Sequence, residues 1–115
     1  MITGVHALFY TTDAEAAREF IRDKLRLPCY DSGGGWLMFD APSADIGCHP
    51  ADRPAHGISF SCDDIDSTVR ELRARGVAFV SEVRQEDWGW VTSFEIPGGG
   101  AVDLYQPKYK RPAAA

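Results

Sequence analysis

No run of Lys or Arg marks a basic stripe along this 115-residue chain, whose 12 basic residues are outnumbered by 17 acidic ones for a formal net charge of -5. A phosphate backbone finds no electrostatic footprint here, so nucleic acid is not the expected partner. No segment approaches the roughly 20 apolar residues that span a bilayer, and Met1-Ile2-Thr3-Gly4 has neither the basic region nor the long apolar run of a secretion signal. A cytoplasmic protein without a membrane partner is expected. Cysteine is scarce: Cys29, Cys48 and Cys62 are odd in number, widely spaced and contain no CxxC pair, which argues against a disulfide framework and a zinc knuckle alike. Reduced, buried thiols are the default reading, because a nucleophilic thiol needs a thiolate-stabilising neighbour that spacing does not supply.

Two further features exclude more than they offer. The triplets Gly33-Gly34-Gly35 and Gly98-Gly99-Gly100 are followed by no helix and no GK[ST] ending, so they are turns and not phosphate loops. The acidic cluster Asp63-Asp64-Asp66 lacks the spacing of a calcium loop and suits a helix N-terminus, where carboxylates favour the dipole. A hydrophobic fraction of 44% beside 25% charged residues then places the chain among ordinary globular domains, with one core and disorder only at the ends.

What is present is a repetition. Val5 to Ile21, VHALFYTTDAEAAREFI, is restated by Ala55 to Leu72, AHGISFSCDDIDSTVREL. One constant offset carries Phe9 onto Phe60, Asp13 onto Asp64, Ala14 onto Ile65, Ala17 onto Thr68 and Ile21 onto Leu72. Past a small insertion, Gly35-Trp36-Leu37 returns as Gly89-Trp90-Val91, and Phe39-Asp40-Ala41-Pro42 as Phe94-Glu95-Ile96-Pro97. A duplicated unit buries its apolar face against its own copy, so function is sought between the halves.

Within each copy the periods set the elements. Val5 to Tyr10 alternates as a strand, with Val5, Ala7 and Phe9 on one face and His6, Leu8 and Tyr10 on the other. Thr12-Asp13-Ala14-Glu15 has the form of a capping box opening a helix with the apolar stripe Ala14, Ala17, Phe20, Ile21 and Leu25, and Leu27-Pro28 stops it. Cys29 to Ser32 and Trp36 to Asp40 form a hairpin around the first glycine triplet, and Ala44 to His49 is a fourth strand. Pro50 to Pro54 is a linker. In the second copy, Ala55 to Cys62 is a strand, Asp64 to Arg75 a helix with Gly76 as its left-handed cap, and Val77 to Val83, Asp87 to Ile96 and Ala101 to Gln106 complete the set. The expected fold is α+β: two tandem βαβββ modules, residues 4–50 and 55–107, joined by a linker at 50–55 and followed by a tail at 108–115. Together they make an eight-stranded, incompletely closed mixed sheet around a central cleft, with one helix per module on the outer face.

Paired βαβββ modules, with GVHALFYTTD opening the first and IPGGGAVDLYQP closing the second, resemble the glyoxalase, bleomycin-resistance and extradiol dioxygenase superfamily, the vicinal oxygen chelate fold. The resemblance covers about residues 4 to 107. It implies a cleft that in many members holds a divalent metal, Ni, Co, Zn, Mn or Fe, chelated in turn by two substrate oxygens; other members bind drugs without an ion. His6, seven residues before Asp13, takes the first ligand position, and Asp103 stands where the family usually has Glu. His56 lies eight residues before Asp64, one step out of phase with His6, and a one-residue slip turns a side chain to the opposite face. The fourth position pairs Asp103 with Ile46 in one register and brings in Asp45 in another. A complete metal site would therefore need His6, Asp103, His56 and Asp45 to converge, two of them through a local irregularity.

The resemblance and the residues together lead to two expectations. In the first, the chain binds a small organic ligand in the inter-module cleft without a complete metal site, in a pocket of His6, Leu8, Tyr10, Met38, Ser59, Trp88, Asp103 and Tyr105. In the second it is a divalent-metal-dependent lyase, isomerase or dioxygenase. His49 and His56 read equally as surface histidines, and Asp103 as a hydrogen-bond partner of His6. Trp36 and Trp90 read as structural rings beside glycine turns, whereas Trp88 has no counterpart in the first copy. Exposed strand edges make a homodimer the expected assembly.

Overall fold

The computed structural model describes residues 7–41, 43–44 and 50–109. The first helix, α1, spans Ala14–Phe20 and opens on Asp13, whose Oδ1 accepts the Ala16 amide at 3.1 Å. The cap thus sits one residue later than the Thr12 box anticipates. Thr12 is engaged elsewhere: its amide donates to the Gly98 carbonyl at 2.9 Å, while the Thr11 hydroxyl donates to the Pro97 carbonyl at 2.8 Å. The entrance of the first helix is thereby tied to the last turn of the second copy. After Phe20 the helix widens into a π-type turn over Ile21–Leu25 and ends on Arg26, at φ 60, one residue ahead of the expected stop at Leu27-Pro28.

Strands β1 (Cys29–Asp31) and β2 (Leu37–Phe39) form the anticipated antiparallel hairpin, with Tyr30 opposite Met38 and positive φ at all three glycines of the turn. Of the expected opening strand, Ala7 to Tyr10 joins no ladder, and His6 lies outside the described residues. Phe9 nevertheless reaches the ring of Phe60 at 6.4 Å, so the segment packs beside the second copy without exchanging the backbone bonds that define a strand. Ala44 is in no strand, and 45–49, the remainder of the expected fourth strand, lies outside the described residues.

The second copy supplies the larger sheet. Strand β3 covers Ser59–Ser61, shorter than the expected Ala55 to Cys62. Helix α2, Ile65–Ala74, opens where Asp64 accepts the Ser67 amide at 3.1 Å. Gly76 at φ 87 then lets the Val77 amide return to the Leu72 carbonyl at 3.0 Å, the left-handed closure anticipated for it. Residues 77–83 run along the sheet as an irregular edge, with a single bridge between Phe79 and Phe94 and a Val80 amide bond to the Ser93 carbonyl at 2.9 Å. Three strands follow: β4 (Arg84–Glu86), β5 (Gly89–Ile96) and β6 (Gly100–Pro107). The strand expected from Asp87 begins at Gly89 because Asp87-Trp88 is the two-residue turn between Glu86 and its partner Gly89. The order is β3-β6-β5-β4, parallel between β3 and β6 and antiparallel elsewhere.

Six strands are thus present among the described residues, in one sheet of two and one of four, with two helices: an α+β fold with a mixed sheet. Both helices feed one core. Ala17, Phe20 and Ile21 of the first join Ile65, Val69 and Leu72 of the second over Phe94, Ile96, Val102 and Leu104 of the sheet. At its centre Phe94 meets Phe20, Phe60 and Phe79 with ring centroids 6.3, 6.1 and 5.7 Å away. Helix α1 therefore contributes to the core over the second copy's sheet, where separate helix coverage of each module was expected. Among the described residues no helix is long and apolar enough to cross a membrane.

Candidate functional site

Alternation along β6 divides the four-stranded sheet into two faces. Val102 and Leu104 are buried in the core, so Asp103 and Tyr105 project from the opposite side. The ladders carry this phase across the sheet: Ser59 and Ser61 of β3 pair with Asp103 and Tyr105, and Ser93 and Val91 of β5 pair with the same two residues. Four small or polar side chains therefore surround one carboxylate and one phenol on the face that neither helix covers. This is the phase expected for Ser59, Asp103 and Tyr105.

The Asp103 carboxylate is held by a charge-assisted hydrogen bond, its Oδ1 accepting from the Ser93 hydroxyl at 2.6 Å. Ser93 is a member of the face that was not singled out from sequence. Its pairing follows from the turn: Ile96 faces Gly100 across Pro97 to Gly99, and three steps further back residue 93 meets 103. Arg84 and Glu86, on the same face of β4, neutralise each other at 3.0 Å and leave Asp103 to its hydroxyl neighbour.

Trp88 closes one end. The two-residue turn lifts its ring onto that of Tyr105, edge to face, at 5.6 Å and 71°, while the Trp88 carbonyl accepts the Lys108 amide at 2.9 Å. Trp88 remains 46% exposed, a large aromatic surface still open to a ligand. Val91, beside Tyr105, is 0% exposed although it stands apart from the helix-side core, so this end of the face is enclosed while the Asp103 end is open. Gly89 is required beneath: a Cβ there would collide with the Gln106 carbonyl oxygen.

The other anticipated pocket residues belong to the first copy. Leu8 and Tyr10 are exposed on the segment ahead of α1, Tyr10 at 88%, and Met38 is half-buried in the separate hairpin. His56 is exposed in the irregular stretch before β3, outside the ladder in which strand alternation fixes a face. His6, Asp45 and His49 lie outside the described residues. Among the described residues no three His, Cys, Asp or Glu side chains gather as metal ligands. Asp103 stands as one carboxylate among hydroxyls, a donor set that by itself does not fit a divalent transition metal. The other two tryptophans share a device: Arg18 lies over Trp36 at 4.5 Å and Lys108 over Trp90 at 5.0 Å.

Two helices on one face of a mixed four-stranded sheet, with the other face open and polar, define an α+β class of fold. The chain belongs to the glyoxalase/bleomycin resistance protein/dioxygenase superfamily, whose family model matches residues 4–104. Among solved structures it is similar to TnmS3, an antibiotic binding protein from Streptomyces sp. CB03234, at 24% identity and a TM-score of 0.66, covering 94% of this chain and 100% of that one. It is similar also to a member of the same superfamily from Sphaerobacter thermophilus DSM 20745, at 25% identity and a TM-score of 0.65, covering 91% and 98%. A glyoxalase/bleomycin resistance protein from Streptomyces sp. CB03234 matches at 25% identity and a TM-score of 0.58, covering 84% and 93%. No curated protein matches the chain.

Proposed function

We propose that this protein binds a small organic ligand on the open face of its four-stranded sheet, by aromatic contact with Trp88 and Tyr105 and hydrogen bonding to Ser59, Ser93 and Asp103, without a complete set of metal-holding groups. The observation that carries the reading is the Trp88–Tyr105 edge-to-face pair standing beside the Ser93–Asp103 hydrogen bond on the face that both helices leave bare. An aromatic wall with a few placed polar groups is the usual makeup of a site for a modest organic molecule. The similarity to an antibiotic binding protein agrees with it. In the same proposal, His6, Leu8, Tyr10 and Met38 of the first module complete the pocket. The two modules, 4–50 and 55–107, join across the 50–55 linker into an eight-stranded, incompletely closed sheet. The protein is a cytoplasmic homodimer with a tail at 108–115.

The test is a titration of tryptophan fluorescence with bleomycin and with quercetin, a planar polyhydroxylated aromatic. Saturable quenching is expected, weakened about tenfold, the equivalent of ~1.4 kcal/mol, in Trp88→Ala and in Tyr105→Ala. Binding equal in wild type and both variants overturns the reading.

A metal-dependent lyase, isomerase or dioxygenase is the second reading, favoured by Asp103 alone, which is on the last strand of the second module and faces the open side. Metal content after incubation with Ni, Co, Zn, Mn and Fe separates the two. Stoichiometric uptake that disappears in His6→Ala overturns the metal-free reading.

A further inference from the structure

On the opposite side of the sheet a hollow opens between α2 and the edge segment 77–83. It has a volume of about 340 Å³ and is lined by Asp66, Val69, Arg70 and Arg73 of the helix, by Ser81, Glu82 and Val83 of the edge, and by Thr92 of β5. Thr92 pairs with Leu104, so it points away from Asp103 and towards the helices. The hollow is separate from the face proposed above.

Its charges do not cancel one another. The ion pairs among the described residues are Arg22–Asp23, Arg75–Glu71 and Arg84–Glu86, so neither Arg70 nor Arg73 is neutralised by Asp66 or Glu82 across the hollow. Arg73 is held instead by its guanidinium over the Phe79 ring at 5.4 Å, which leaves its hydrogen-bonding edge uncommitted. Beneath lies a hydroxyl floor: Thr92, 1% exposed, donates to the Ser81 carbonyl at 2.8 Å, with the Ser81 hydroxyl 3.4 Å away. Val69 and Val83 supply apolar wall.

We infer that this hollow is a binding site for a small zwitterion with an aliphatic body, an α-amino acid of the leucine or valine type. Two cations at helical i,i+3 spacing present a fork for a carboxylate, and the carboxylates of Asp66 on the same helix and Glu82 on the edge segment receive an ammonium. A ligand of one sign alone would leave two of the four charges facing a like charge. The hollow is open to solvent, with Asp66, Arg70, Arg73 and Glu82 all exposed at its rim, and its volume leaves room for an amino acid. The valines take the side chain.

The experiment is an amide-resolved NMR titration of the 115-residue chain with L-leucine, 4-methylpentanoate and isoamylamine in parallel. Saturable shifts at Ser81, Val83 and the amides of α2 are expected with L-leucine at a Kd on the order of 1 mM. The carboxylate-only and amine-only compounds bind at least about tenfold more weakly, each lacking one charge-assisted contact. Arg70→Gln and Arg73→Gln, checked for folding by circular dichroism, each weaken L-leucine by about tenfold. No saturable shift at these amides, or equal binding of the three compounds to the wild-type protein, overturns the inference whatever the variants do.

Discussion

The two copies of the repeat open their helices alike and close them differently. Asp13 and Asp64 each accept an amide three residues on, at 3.1 Å in both cases. The first helix then runs seven residues before loosening into a π-type turn that ends on Arg26 at φ 60; the second runs ten and ends on Gly76 at φ 87. A left-handed residue closes both, but only the second is one for which that conformation carries no steric penalty. The sheets differ in the same direction. The hairpin of the first copy leaves Tyr30 and Trp36 more than half exposed, while the second copy builds four strands around a buried centre. The second unit therefore acts as the scaffold, and the first lends it a helix.

That asymmetry is most directly broken at Phe94, where rings from both copies meet. Phe94→Ala is expected to destabilise by about 3–5 kcal/mol in urea unfolding, far beyond Trp36→Ala on the exposed hairpin. A loss near 1 kcal/mol would show that the first helix does not depend on the second sheet. Next in size is the junction at Gly98. It and Gly34 share nearly the same φ, 66 and 62, yet a Cβ at Gly98 would come within 2.7 Å of the Asp13 amide and the Thr12 hydroxyl, while one at Gly34 meets nothing within 4 Å. Gly98→Ala should lose about 2–3 kcal/mol and Gly34→Ala about 1, the difference measuring the tie between last turn and first helix.

A smaller effect sharpens the comparison from the other side. Arg26→Gly gives the first helix the second helix's ending and is expected to raise stability by about 0.5–1 kcal/mol, read from the urea midpoint at constant slope. Smallest is the pH dependence carried by Cys62. Burial pushes its thiol above the ordinary range, against an opposing hydrogen bond from Thr68. The folded form thus favours the protonated thiol, so its stabilising contribution is complete below the ordinary thiol pKa of about 8.5 and is lost as pH rises through the raised value. Thermal melts across that range should show a decline that flattens in Cys62→Ala.

The phase of β6 was legible because strand alternation is local: Val102 and Leu104 inward dictate Asp103 and Tyr105 outward, and the ladder extends this to Ser59. The caps of α2 and the glycine turns were legible for the same reason. Thr12 misled because its hydroxyl and amide answer to Gly98, 86 residues away, and not to its own helix. His56 was assigned a face by extending alternation beyond the point where β3 begins at Ser59, so the rule had no ladder to act on. Trp88 was singled out for lacking a counterpart, but its edge-to-face position on Tyr105 depends on a turn that the pattern had read as the start of a strand.

The amino-acid order by itself determined the superfamily, the opening of α2 and the split of β6 into a buried and an open row, since each rests on motifs or spacing within short segments. Only the tertiary structure decided that α1 shares the core of the second copy's sheet and that its entrance is tied to the turn at Gly98. Those choices join residues far apart in the chain, and long-range packing, not local periodicity, selects among the partners that the pattern leaves open.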